Sequence, residues 1–102
     1  MIEEYKNGRR DFCGEDLSGL DLSNLDLHDV DMSQARLVMT NLNSASFKFV
    51  DMSFVDAKNA DFRGADLSGA YIRFANLEGA NFHNANLDDA DFRDTSLEGS
   101  LK

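Results

Sequence analysis

ADFRG ADLSG AYIRF ANLEG ANFHN ANLDD ADFRD, residues 60–94, is the stretch that decides the fold. Every block of five opens with Ala, and every third position is Phe, Leu or Ile. Six of the seven second positions are Asp or Asn, Tyr71 being the exception. A helix repeats its apolar face about every 3.6 residues and a strand about every 2, so neither yields a period of five. A strict short period with small and large apolar positions set among polar ones predicts a solenoid, whose coils share a core with their neighbours. The register also runs backward from Ala60 without a break. Residues 10–99 make ninety, or eighteen blocks, with centres every five residues from Phe12 to Leu97. Only Ala57 among those centres is not a large apolar residue.

The pattern A(D/N)(L/F)xx resembles the pentapeptide-repeat family, and the resemblance covers residues 10–99. It implies an all-β fold, a right-handed quadrilateral parallel β-helix. Each pentapeptide would form one side and twenty residues one coil, so the eighteen blocks would make about four and a half coils. At a strand-like spacing of ~4.8 Å the repeat body would be roughly 20 Å long. The resemblance places the block centre, and the Ala two residues before it, inward. Stacking at twenty then gives four inner columns, which begin at Phe12, Leu17, Leu22 and Leu27. Residues 1–9 are expected as a separate N-terminal cap and residues 10–101 as the β-helix. The cap is predicted as a short capping helix from Ile2-Glu3-Glu4-Tyr5-Lys6, stopped near Gly8, with Ile2 and Tyr5 facing the core. The element Tyr5-x-x-Gly8-x-Arg10-Asp11-Phe12 is similar to the start of many cyanobacterial family members. That similarity implies a native N-terminus and a cyanobacterial-type source.

Departures from the pattern carry their own expectations. Ala57 is small where Val55, two residues earlier, is large, so the two inward positions exchange bulk. Leu20, Leu25 and Val30 exceed Ala at inward positions and predict wider N-terminal coils. Arg10 and Glu15 also fall at inward positions; burying either without a partner is costly, so both are expected to emerge beside the cap, paired. At the other end the pattern stops near Gly99 or Leu101, leaving Phe82, Leu87, Phe92 and Leu97 to line an open coil. This predicts self-association, a homodimer, through Phe92, Leu97 and Leu101, or else a shortened chain.

The net charge is −9, from nineteen acids against ten bases. This argues against nucleic acid and against anionic membranes as partners, since both call for clustered Lys and Arg. A single cysteine, Cys13, forms no internal disulfide and fits a reducing compartment. The first residues lack the apolar core of a signal peptide, and no run of about twenty apolar residues spans a bilayer. A cytoplasmic location is expected. The absence of proline suits an uninterrupted backbone ladder.

No catalytic, cofactor or metal constellation stands out. His28 and His83 fall at outward positions on different sides. Cys13 is outward with no histidine near it in sequence. Gly14, Gly19, Gly64, Gly69, Gly79 and Gly99 all close blocks, so they read as turn residues and not as a phosphate loop. The expectation is a non-enzymatic protein that needs no cofactor.

Three outward features remain. Phe54 and Phe74 lie twenty apart at block-closing positions of one side, with Tyr71 and Phe49 beside them. Aromatic residues outside the core are not needed for the fold, so Phe54, Phe74, Tyr71 and Phe49 are the predicted contact surface for a protein partner. Asp11, Asp16, Asp21, Asp26 and Asp31 lie in a segment, residues 11–35, that has no Lys or Arg. B-DNA carries a charge per about 1.7 Å, so roughly 20 Å carries about twelve, comparable with this chain. The family resemblance therefore implies an alternative: an acidic rod that mimics DNA and occupies a type II topoisomerase such as gyrase. The plainer reading of the same acids is turn formation and solubility. Last, Arg73 and Arg93 share the side of Phe54 and Phe74 and are expected to pair with Asp91 or Asp94. The leading functional expectation is an interaction or scaffold module that displays side chains on a rigid rod.

Overall fold

The computed structural model describes residues 1–102. One helix, α1 (Ile2–Lys6), precedes a body in which fifteen parallel bridges join residues twenty apart, from Asp11↔Asp31 to Asn81↔Leu101. Each bridge is a single residue; no long strands form. The chain measures 36 × 25 × 23 Å, so its two shorter dimensions are nearly equal.

The five-residue period follows from one turn repeated at nearly every corner. The N–H of Glu15 donates to the carbonyl of Phe12 at 3.1 Å, and that of Ala60 to Ala57 at 3.0 Å. The third residue of such a turn has positive φ, as in a type II turn. Glycine meets this demand at Gly14 (φ 72°), and Asn meets it at Asn24 (φ 61°). The second residue of each block supplies a further clamp. Asp11 Oδ1 accepts the N–H of Cys13 at 2.9 Å, and Asp16, Asp21 and Asp31 do the same two residues on. These Asx contacts tie the Asp/Asn column to turn formation.

Between coils, each block offers two N–H groups forward and one backward. The N–H of Phe12 donates to Asp31 (2.9 Å) and that of Gly14 to Ser33 (3.0 Å), while Asp31 donates back to Arg10 (2.9 Å). One corner departs from this. Asp29 has no positive φ, and its N–H makes no bond to Lys48, where the ladder would otherwise place one.

The core is a single cluster of 25 buried residues, made of block centres and the small residues two before them. Phe12, Leu22, Leu27, Met32, Leu37, Leu42, Phe47 and Met52 are all at most 1% exposed. Ala57 and Val55 are both buried, as the exchange of bulk predicts. Thr40 stands where Ala is usual and is buried as well, its hydroxyl donating to the carbonyl of Leu17 at 3.0 Å.

Two expectations need correction. Tyr5 packs against the core as expected, but Ile2 is exposed and Met1 takes its place. Leu20 sits at an inward position but is 41% exposed, because beside α1 no preceding coil covers it. Arg10 and Glu15 emerge beside the cap and are each paired, as expected: Arg10 Nε donates to Asp29 Oδ2 at 2.8 Å, and Glu15 Oε2 accepts from Arg9 Nη2 at 3.1 Å.

Candidate functional site

The side centred on Phe12, Met32, Met52, Ile72 and Phe92 carries most of the exposed aromatic surface. Phe54 and Phe74 close two successive blocks on it, and their rings stack with centroids 5.1 Å apart and planes 13° apart. Tyr71 is the second residue of the upper of those blocks and bridges Asp51 below it. Phe49 sits at the corner leading into this side. Exposures run from 49% (Tyr71) to 66% (Phe49). The structure therefore brings the four aromatic residues to one region of the rod, where the sequence placed them.

Their backbone adds an observation that spacing alone does not carry. Phe49, Phe54 and Phe74 have φ of 62°, 61° and 58°, as does Met39 at 56° one side further on. Left-handed backbone disfavours bulky side chains and costs roughly 1–2 kcal/mol per residue without glycine's freedom. Asn59 and Asn84 occupy equivalent corners without that burden. The rings are also accommodated by their neighbours. A Cβ on Gly69 would lie 2.4 Å from two ring carbons of Phe49, so glycine at 69 leaves room for that ring. A sequence signal for this existed: Gly69 stands twenty after Phe49.

The same side continues toward the N-terminus as Asp11, Asp31 and Asp51, in register through the bridges Asp11↔Asp31↔Asp51. All three are exposed, and none pairs with a Lys or Arg. Toward the C-terminus the charges are matched. Arg93 Nη2 lies 2.7 Å from Asp91 Oδ2 and Arg73 Nε 3.6 Å from the same oxygen. Hydrogen bonding from Arg93, above all, pulls the Asp91 carboxyl down to about 2. Of the two expected partners, Asp91 takes both arginines.

Around the corner lies a shallow open cleft of about 330 Å³ lined by Asp26, His28, Ser46, Lys48 and Phe49. His28 Nδ1 lies 2.7 Å from Asp26 Oδ1, and this contact raises the imidazole's pKa and lowers the carboxyl's. The acids of the DNA-mimic alternative thus divide. Asp16, Asp21 and Asp26 lie on other sides, and only Asp11 and Asp31 share the aromatic side. His28 and His83 do not meet, and Cys13, exposed, accepts from Ser33 Oγ at 3.4 Å.

At the last coil, Phe92 and Leu97 are half-buried and Leu101 is 59% exposed. Phe82, Leu87, Phe92, Leu97 and Lys102 surround an apolar dimple of about 30 Å³. No helix of the chain is long and apolar enough to cross a membrane.

Known proteins share this architecture. The profile described as pentapeptide repeats matches residues 11–37, 26–64 and 65–101, with eight copies. A pentapeptide-repeat protein of the Arabidopsis thaliana thylakoid lumen is 33% identical over 89% of this chain and 63% of its own, with a TM-score of 0.85. Rfr23 from the cyanobacterium Cyanothece 51142 is 26% identical over the same shares, with a TM-score of 0.87. The chain thus spans under two thirds of each of these two. A pentapeptide-repeat protein of Nostoc PCC 7120 is 35% identical over 98% of this chain and 90% of its own, with a TM-score of 0.77. QnrB1, a plasmid-mediated fluoroquinolone resistance protein, shares the fold at 19% identity and a TM-score of 0.61. No curated protein sequence matches. These neighbours imply the right-handed quadrilateral β-helix, and the chain belongs to the pentapeptide-repeat family.

Proposed function

We propose that the protein is a non-enzymatic interaction module: a right-handed rod of about four and a half coils, covered at its first coil by α1, that presents Phe54, Phe74, Tyr71 and Phe49 to a protein partner in the cytoplasm. The observation that carries this reading is three exposed phenylalanines held at positive φ, where Gly or Asn would fit without strain. A preformed surface of stacked rings loses little entropy on binding. The test is a pull-down from source-cell lysate with wild type and Phe74→Ala, at low and moderate salt. A partner held at both salts by wild type and lost by the variant supports the reading; equal capture by both proteins defeats it.

A second reading, DNA mimicry toward a type II topoisomerase, is favoured by the in-register, unpaired carboxylates of Asp11, Asp31 and Asp51. It predicts capture of gyrase subunits at low salt only, abolished when the acids of residues 11–31 become Asn. The half-buried Phe92 and Leu97, with Leu101, form the proposed self-association surface. Sedimentation of wild type as a dimer and of Leu97→Glu as a monomer is the expected result; a wild-type monomer at high concentration would overturn it.

A further inference from the structure

We infer that the partner seated on the aromatic side is a cationic amphipathic helix, laid along the rod axis. Its apolar stripe would meet Phe54, Phe74 and Tyr71, and its basic residues would meet Asp31 and Asp51. This rests on the interaction-module reading and names the chemistry of its partner.

Charge complementarity carries the choice. Asp31 and Asp51 are bridged neighbours, exposed and without a cation, and their column runs on to Tyr71, on the same side as the stacked Phe54 and Phe74. Like charges in register destabilise a ladder mildly. The cations of a partner would relieve that repulsion, whereas an anionic lipid surface or a nucleic acid would add to it. The C-terminal part of the side is already neutralised by Arg73 and Arg93 on Asp91, so the unmatched charge lies only on the N-terminal flank of the rings. This gives the partner a direction: basic residues toward Asp31, apolar residues toward Phe74.

Spacing selects the helix. The coils repeat every ~4.8 Å. A helix lying along the axis presents one side chain per turn, about every 5.4 Å, so two coils and two turns differ by roughly 1 Å. An extended strand presents same-face residues about every 6.7 Å and falls out of step within two coils.

The probe is a synthetic Leu/Lys amphipathic helix of about four turns, compared by fluorescence anisotropy with a scrambled peptide of the same composition. The variants are Phe54→Asn/Phe74→Asn, which suits positive φ as Asn59 and Asn84 do, and Asp31→Asn/Asp51→Asn. Asp16→Asn/Asp21→Asn, on two other sides, matches the latter in charge. Wild type should bind the ordered helix at least about tenfold more tightly than the scramble, and the Phe pair should abolish that preference. The Asp31/Asp51 pair should weaken binding severalfold at low salt, and Asp16/Asp21 should not. Equal binding of both peptides, or equal losses from the two acid pairs, would overturn the helix proposal. If the lysate partner still depends on Phe74 in that case, the contact-face reading survives. If neither the peptide nor the lysate partner responds to the Phe substitutions, the contact-face reading falls too.

Discussion

The first and last coils are built from the same five-residue code and end up differently buried. Phe12, Leu17, Leu22 and Leu27 are at most 3% exposed, whereas Leu87, Phe92 and Leu97 are only partly covered. The difference is α1 and the arginines that follow it. Arg9 lays its guanidinium 4.6 Å from the Phe12 ring centroid and donates to the Asp11 carbonyl at 2.9 Å. The Tyr5 hydroxyl donates to the Asp26 carbonyl at 2.9 Å and also bonds Asp29. Arg10 stacks on the Tyr5 ring at 4.0 Å while pairing with Asp29. Side chains thus take over donor roles that a preceding coil would fill. At the other end, the N–H groups of Leu87, Phe92 and Leu97 donate to no backbone carbonyl. In a solenoid, burial of a residue is decided by the neighbouring coil more than by its own block: Leu67 and Leu87 lie in one column, and only Leu67 is sealed.

The largest test of this contrast is truncation of core phenylalanines. Phe62→Ala, in mid-rod and stacked on Phe82 at 5.0 Å, should cost about 3–5 kcal/mol in urea unfolding. Phe92→Ala should cost less, because that ring is only partly buried and no coil closes over it. Equal costs would erase the distinction between the coils. Next comes the N-terminal clasp. Arg10→Ala removes the Asp29 pair and the bond to the Tyr5 carbonyl, and should cost about 1–2 kcal/mol. Amide exchange should accelerate at Leu17 to Leu27 and stay unchanged in the last coil; uniform acceleration would mean that α1 does not act locally.

The smallest effects are in pH dependence, and they have opposite signs at the two ends. Asp91 is depressed to about 2 in the folded protein, against about 3.9 unfolded. Its contribution is therefore complete above about pH 4 and is lost as pH falls toward 2. His28 is raised, chiefly by its hydrogen bond to Asp26. Its contribution is complete below about 6.5 and is lost as pH climbs through the raised value. Urea midpoints across pH should flatten at the acid end in Asp91→Asn and near neutrality in His28→Gln. A wild-type profile unchanged by either substitution would remove these pairs from the stability of the rod.

The period of five was enough to place the core columns, the turn glycines and the aromatic side, because each depends only on counting residues. It was not enough where an element outside the repeat intrudes. Leu20 obeys the inward register and still reaches water, and Arg9, with no place in the pattern, covers Phe12. Asp29 looked like any other block-closing residue, yet its carboxylate is held by Tyr5 and Arg10, its corner lacks positive φ, and a cleft lies beside it. None of these follows from spacing, because each depends on a contact across twenty or so residues with a segment of different design. Phe49, Phe54 and Phe74 lie between these cases: counting places them at block-closing corners, and only the geometry shows that they hold positive φ there.

Because every side chain's direction is set by its position modulo twenty, the rod behaves as a dial. Inserting one pentapeptide between Phe54 and Phe74 would preserve every inward residue and every corner turn. It would also rotate all that follows by a quarter turn and send the two rings to different sides. Length changes of five thus keep the inward register but part the two rings, and only changes of twenty keep both.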